Sequence, residues 1–429
     1  MAEPGMSVTP YWELTFDADG DVDGPERDRL LAQVTDHGVR DLIVFAHGWN
    51  NDRSGATALY RHFFAPVPKL APKARIGYVG VIWPSMRFCD EPIPDFPRSV
   101  TATAAPGPAL DEDTRRALLA AFPDQAAAVG RLAGLLDERP GGDEGLAEFG
   151  RLARQLAGVP QPSAADTSQP GEPSVFGADT AAACAEFAAA LGGLTSPGAP
   201  EGFTLPNPWE GAKELLRQAA YYAMKRRAGT VGEHGLGPVV GQLARAASGV
   251  RVHLVGHSFG GRLVSFALRG LPAGVRTVKS VTLLQGAFSH YAFATRLPQD
   301  RDTAGALKDR QHLIDGPLVC CHSHFDAALG TFYPLASRLA GDSSSLLGLD
   351  LAAVLGAEWG AMGHDGVQAV AGTAALDLAA ALNGALPASG CVNVDAAAVV
   401  RRGGPPAGAH SDILHPELAR VVLAAGRIT

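Results

Sequence analysis

The chain lacks any uninterrupted apolar stretch of membrane-spanning length, so no transmembrane segment is predicted. Its N-terminus, MAEPGMSVTPYWELTF, has neither the basic head nor the apolar centre of an export signal, and no secretion is expected. Cysteine is scarce: five residues (Cys89, Cys184, Cys320, Cys321 and Cys391), odd in number and scattered. That excludes a disulfide framework and fits no zinc knuckle; a reducing cytoplasm is the expected compartment. Positive charge is also short, with 36 Lys and Arg against 44 Asp and Glu and a net charge of −8. No basic field exists to hold nucleic acid or an anionic membrane surface, and neither is expected as a partner. No internal repeat is visible. With 46% hydrophobic residues, the 429-residue chain is globular and long enough for one large α/β domain with an insertion, or for two domains. The oligomeric state is not legible.

The most informative stretch is Val252 to Gly261, VHLVGHSFGG. A run of apolar and β-branched residues reads as a buried parallel strand. It ends in Gly256-His257-Ser258-Phe259-Gly260, and a helical pattern from Gly261 to Leu268 follows at once. Strand, sharp turn and helix with a serine at the turn is the context that gives a Gly-x-Ser-x-Gly motif its meaning. Glycines flank the serine because a Cβ at either place would collide with the neighbouring element. The turn lifts the Ser258 hydroxyl above the sheet and sets the Phe259 N–H at the positive end of a helix.

In chain order, Val8 to Phe16 reads as a first strand at a sheet edge and Asp17 to Arg29 as acidic and turn-rich. A short helix is expected over 29–35, a buried strand over Asp41 to Ala46, and a helix over Ala56 to Phe64. Ile76 to Trp83 is another buried strand. From 86 to 208 the composition shifts to Ala, Pro, Gly and acidic residues. Helices are expected over Asp111–Ala121, Asp124–Leu136, Asp143–Leu156 and Asp179–Leu191, with breaker-rich, mobile connectors such as Val159 to Val175. This reads as a helical cap inserted into a core made of 1–85 and 209–429. Helices at Trp209–Arg227 and Pro238–Ala247 precede the serine strand. Strands follow at Val278–Leu284, which ends in Gln285-Gly286-Ala287, then Pro317–Cys321 and Cys391–Val394. Leu346–Val354 is helical or loop-like, Gly366–Leu382 is alanine-rich, and a last helix covers Pro416–Ala425. Alternating strands and helices predict an α/β fold, a mainly parallel sheet covered on both faces.

A serine hydroxyl needs a base within hydrogen-bond reach, and that base needs an orienting carboxylate. In a parallel sheet all three come from loops beyond the carboxyl ends of strands. Asp326 follows the Pro317–Cys321 strand at that end and is the candidate acid. Asp395, one strand later, is the alternative, and Asp315 lies at the wrong end. His410, in a Gly- and Pro-rich loop between the last strand and last helix, is the candidate base. His415 abuts Pro416 and reads as a helix start. His290, His312 and His364 are expected at the surface. The run His322-Ser323-His324-Phe325-Asp326 has ligand types at alternate positions, which is the one metal-site alternative; without a second cluster, no metal is expected.

Together with His47-Gly48-Trp49-Asn50-Asn51 at the end of the Asp41–Ala46 strand, these motifs resemble the α/β-hydrolase superfamily, most of all bacterial serine hydrolases of the lipase and esterase kind. The resemblance covers Val8 to Trp83 and Trp209 to the C-terminus, not the insertion. It implies an α/β-hydrolase fold with Ser258 as nucleophile, His410 as base and Asp326 as acid. It also implies an oxyanion hole from the N–H groups of Trp49 and Phe259, supported by His47, Gly48, Gly256, His257 and Gly260. It implies hydrolysis of a small-molecule ester or related acyl bond through an acyl-enzyme, with no cofactor. Peptidase, thioesterase and acyltransferase activities, or a non-catalytic binding protein of the same fold, remain open alternatives.

Overall fold

The computed structural model describes residues 5–49, 51–86, 88, 109–158, 179–195, 207–298, 300–326, 360–403 and 408–429. The expected tracts Val159–Val175 and Leu346–Val354 lie outside them. The chain divides into two compact units. One comprises Met1–Ser85, Lys225–Pro334 and Asp350–Thr429, and the other Met86–Met224 with Leu335–Leu349. The boundary expected from composition, at 208/209, is the start of a long helix; the second unit ends within that helix.

The first unit contains one eight-stranded sheet. Its strands are β1 (Tyr11–Thr15), β2 (Asp41–Ala46), β3 (Ile76–Ile82) and β4 (Arg251–His257), then β5 (Val278–Leu284), β6 (Pro317–His322), β7 (Ala374–Asp377) and β8 (Gly390–Asp395). They lie in the order β1-β3-β2-β4-β5-β6-β8-β7, and every neighbouring pair is parallel. Parallel neighbours cannot be joined by tight turns, so helices carry most crossovers. These are α1 (Gly24–Asp36), α2 (Arg53–Phe64), the short α3 (Val67–Leu70), and, after the second unit, α9 (Gly237–Ala246) and α10 (Phe259–Ala267). Short helices α11 (Met362–Asp365) and α12 (Leu378–Asn383) and the terminal α13 (Pro416–Gly426) complete the unit. β2 and β3 are buried at every position, which is why their sequences are almost wholly apolar after Asp41 at the start of β2. Phe45, Tyr60, Phe63, Phe64 and Tyr78 form an aromatic cluster over one face, and the apolar side of α13 belongs to the same core.

Two of the departures from expectation have a clear physical cause. Helix α1 begins at Gly24, inside the tract read as turns. Asp23 caps it by accepting the Glu26 N–H, and a proline in the first turn costs no hydrogen bond. Strand β7, AALD, has no β-branched residue and was not expected; pairing with β8 at the sheet edge makes it a strand.

The second unit is helical: α4 (Glu112–Ala121), α5 (Ala126–Glu138), α6 (Asp143–Ala157), α7 (Thr180–Thr195) and the first part of α8 (Pro208–Thr230). Asp111 caps α4, accepting the Thr114 N–H at 2.8 Å. Leu146, Phe149 and Leu156 of α6 point inward, and Trp209 meets Phe149 edge-on with centroids 5.9 Å apart. A π-helical stretch, Val231–Leu236, joins α8 to α9. Among the described residues no helix is long and apolar enough to cross a membrane.

Candidate active site

β4 runs into Ser258, and α10 starts at Phe259. Ser258 has φ 54° and ψ −121°, a conformation that side-chain-bearing residues adopt only when the surroundings impose it. They do so here. A Cβ on Gly256 would lie 2.3 Å from the Gly260 carbonyl oxygen, and one on Gly260 would lie 1.9 Å from that of Ala46. The Ser258 N–H donates to Leu284 O at 3.1 Å, and its carbonyl accepts the N–H groups of Gly261 and Ala287. The serine is thus fixed to the ends of both β4 and β5.

His410 Nε2 lies 2.9 Å from Ser258 Oγ, and His410 Nδ1 lies 2.8 Å from Asp326 Oδ2. Asp326 is fully buried. An ionised carboxylate only accepts, so Nδ1 carries the proton and Nε2 faces the serine hydroxyl as acceptor. The loop between β8 and α13 delivers His410. Ala409 N–H donates to Phe325 O at 2.9 Å, and Asp412 accepts the N–H groups of Arg401 and Arg402. Asp395, the alternative acid, is exposed at the end of β8 and accepts the N–H of Ala397. His415 bonds Asp412 at the N-cap of α13.

The β2 end comes to the same place. A Cβ on Gly48 would lie 2.7 Å from Ser258 Cβ and 3.3 Å from its Oγ, so this loop passes directly over the serine. Its path is held by Tyr60, whose hydroxyl accepts the His47 N–H at 3.0 Å and donates to Val81 O. Trp83 stacks on the His47 ring and donates Nε1–H to His47 O. His47 Nδ1 bonds the Gly48 carbonyl at 2.8 Å. Across a trans peptide the Trp49 N–H points away from that carbonyl. The rings of Trp49 and Phe259 lie 6.1 Å apart. His257 donates Nε2–H to the His410 carbonyl at 2.9 Å. Burial lowers the pKa of His47 to about 4 and that of His257 to about 3, and each keeps one buried ring nitrogen without a partner among the described residues.

The alternating run after β6 does not gather ligands. His324 is exposed and stacks on Phe325, whereas Asp326 is buried, and Ser323 Oγ donates to Val400 O at 2.6 Å. Among the described residues no three His, Cys, Asp or Glu side chains are placed to hold a metal ion. His290, expected at the surface, is buried at 3% exposure because the turn after β5 folds it under α11, where its Nδ1 reaches Asp365 at 3.2 Å. His364 Nδ1 reaches the other Asp365 oxygen at 2.8 Å. Burial raises the Asp365 carboxyl, but these two bonds outweigh it and hold it below the usual carboxylate range. Sequence reasoning also missed Gln285, whose Nε2 is 3.1 Å from Asp326 Oδ2. Its position at a strand's carboxyl end was the only available signal.

A second Ser–His–Asp chain lies inside the sheet: His253 Nδ1 is 2.9 Å from Ser280 Oγ and its Nε2 is 2.9 Å from Asp41 Oδ1. His253 and Ser280 are fully buried and Asp41 nearly so, on the adjacent strands β4, β5 and β2. Ser280 lies within a regular strand, without the positive-φ turn that holds Ser258. No protein family, curated protein or solved structure matches the chain.

Proposed function

We propose that the chain is a serine hydrolase with an α/β-hydrolase fold that cleaves a carboxylic ester or related acyl bond. The observation that carries this reading is the unbroken contact from Ser258 Oγ through His410 to Asp326, with the serine at positive φ between a strand and a helix. The chain order Ser, Asp, His and the origin of each loop at a strand's carboxyl end support it. In this mechanism Ser258 Oγ attacks the carbonyl carbon while His410 Nε2 takes the hydroxyl proton. The Phe259 N–H, in the opening turn of α10 where amides lack intrahelical acceptors, and the Trp49 N–H stabilise the oxyanion. The imidazolium, stabilised by Asp326, returns its proton to the leaving alcohol. Water then repeats the sequence against the acyl-enzyme, releasing acid and free serine. Every proton moves among serine, histidine, alcohol and water, so these steps call on no cofactor.

The test is labelling with a fluorophosphonate probe beside p-nitrophenyl esters of rising chain length, a thioester and a peptide. Wild-type protein is expected to label at Ser258 and turn over at least one ester, and Ser258→Ala to do neither. Folded wild-type protein that neither labels nor turns over any of these substrates overturns the reading in favour of a binding protein.

A further inference from the structure

Gln285 stands at the carboxyl end of β5, fully buried and in the left-handed region with φ 48°. Its backbone N–H completes the β5–β6 ladder by donating to Cys321 O at 3.2 Å. The left-handed turn then sends the side chain across the end of β6. There Nε2 meets Asp326 Oδ2 at 3.1 Å and Gly363 O at 3.0 Å. Both neighbours only accept hydrogen bonds, so chemistry decides the amide orientation: a carbonyl on that side would face two oxygens with no proton between them. The cost falls on Oε1, which is buried without a partner among the described residues. A residue kept for packing alone would avoid that cost, since methionine fills similar space with no orphaned acceptor.

The second anchor of the amide is equally well held. The Gly363 carbonyl also accepts the Ser323 N–H at 2.9 Å, and the Gly363 N–H donates to Gly286 O at 2.9 Å. One residue of α11 therefore joins the end of β5 to the turn that carries Asp326. That helix is itself pinned by Asp365 between His290 and His364.

We infer that Gln285 is a positioning residue for Asp326. It is the second donor on the carboxylate oxygen that receives His410 Nδ1–H, and it fixes the carboxylate in the rotamer that turns His410 Nε2 toward Ser258. The inference deepens the hydrolase reading and rests on it for its kinetic consequence. Without the amide, the buried carboxylate keeps His410 at that oxygen but loses a neutral donor beside it. The Asp326–His410 pair then binds its proton more tightly and holds a less defined geometry. Among the described residues, the other titratable groups facing the pair are His257, whose ring lies 5.1 Å from that of His410, and His364 with Asp365 and His290 on the α11 side. All are retained in the variants below.

The experiment compares Gln285→Met and Gln285→Glu with wild type. It measures kcat and KM on the best p-nitrophenyl ester, normalised to serine titrated by fluorophosphonate, and kcat/KM across pH. Gln285→Met is expected to lower kcat by about ten- to a hundredfold, with KM within about twofold, the range that loss of a hydrogen bond to a charged group gives. The acid limb of the profile moves to higher pH, and further in Gln285→Glu, where a second carboxyl faces Asp326. A folded Gln285→Met with wild-type kcat per titrated serine and an unmoved acid limb overturns the inference. If that variant does not fold, an unmoved limb in the isosteric Gln285→Glu does the same. Should wild type itself neither label nor turn over, the hydrolase reading has failed and not the positioning. The latter is then read from the low-field Nδ1–H resonance of His410, assigned by its loss in His410→Ala. A resonance shifted in the Gln285 variants sustains the positioning, and an unshifted one refutes it.

Discussion

His47 and His257 flank Ser258 from the ends of β2 and β4, each buried with one ring nitrogen that has no partner among the described residues, so mild acid is expected to destabilise the fold through them. Protonation would place a charged N–H where no acceptor waits. Both folded-state values, about 4 and about 3, lie below the ordinary 6.5, so the unfolded chain binds the protons more readily. The contribution of these neutral rings is complete above the ordinary value and is lost as pH falls through and below it. Each histidine adds a slope of about 1.4 kcal/mol per pH unit, hence roughly 2 kcal/mol each at about pH 5 and roughly 4 kcal/mol together. Urea unfolding followed by tryptophan fluorescence, between about pH 8 and about pH 5, measures this. His47→Gln and His257→Gln are expected to be less stable at the alkaline end but flatter below about pH 6.5, each by about 1.4 kcal/mol per pH unit. Burial also lowers His253 and His322, which adds to the wild-type slope, so the difference between wild type and variant is the quantity to compare. A variant whose slope equals that of wild type refutes the reasoning for that histidine.

Two further predictions rest on the geometry of the serine turn and its acid. Asp326→Asn is expected to lower ester turnover by roughly 10^4-fold with the protein still folded, through the wrong His410 tautomer. Asp395→Asn should leave turnover unchanged, and the reverse pattern would move the acid to β8. Ser258→Gly should melt higher than Ser258→Ala, by about 1 kcal/mol or more, because both lose the bond to His410 but only glycine relieves the positive φ. Equal melting temperatures would show that the turn holds no such strain.

The sheet was legible where burial leaves a run made mostly of apolar and β-branched residues: β2 and β5 fall at their expected bounds, Asp41–Ala46 and Val278–Leu284. Ser258 was legible because local sequence, glycine spacing and the strand-to-helix switch all bear on one turn. Asp326 and His410 could be placed only by a rule about strand ends, and Asp395 satisfied much of that rule too. What was illegible depends on partners remote in sequence. Nothing in AALD marks β7 until β8 is beside it. The contacts of Gln285 with Asp326 and Gly363 span 41 and 78 residues and leave no periodic trace. His290 was misplaced at the surface for the same reason, since its burial depends on Asp365, 75 residues on.

The Ser280–His253–Asp41 chain carries a caution for anyone searching coordinates or substitution scans for catalysis. It matches the Ser258 constellation in residue types and nearly in spacing, and it couples three adjacent strands, so replacing His253 should be as poorly tolerated as replacing His410. A survey scored on tolerance alone would therefore report two candidate centres. What separates them is the backbone and the ring: Ser280 lies inside a regular strand and meets Nδ1 of its histidine, whereas Ser258 stands at a positive-φ turn and meets Nε2.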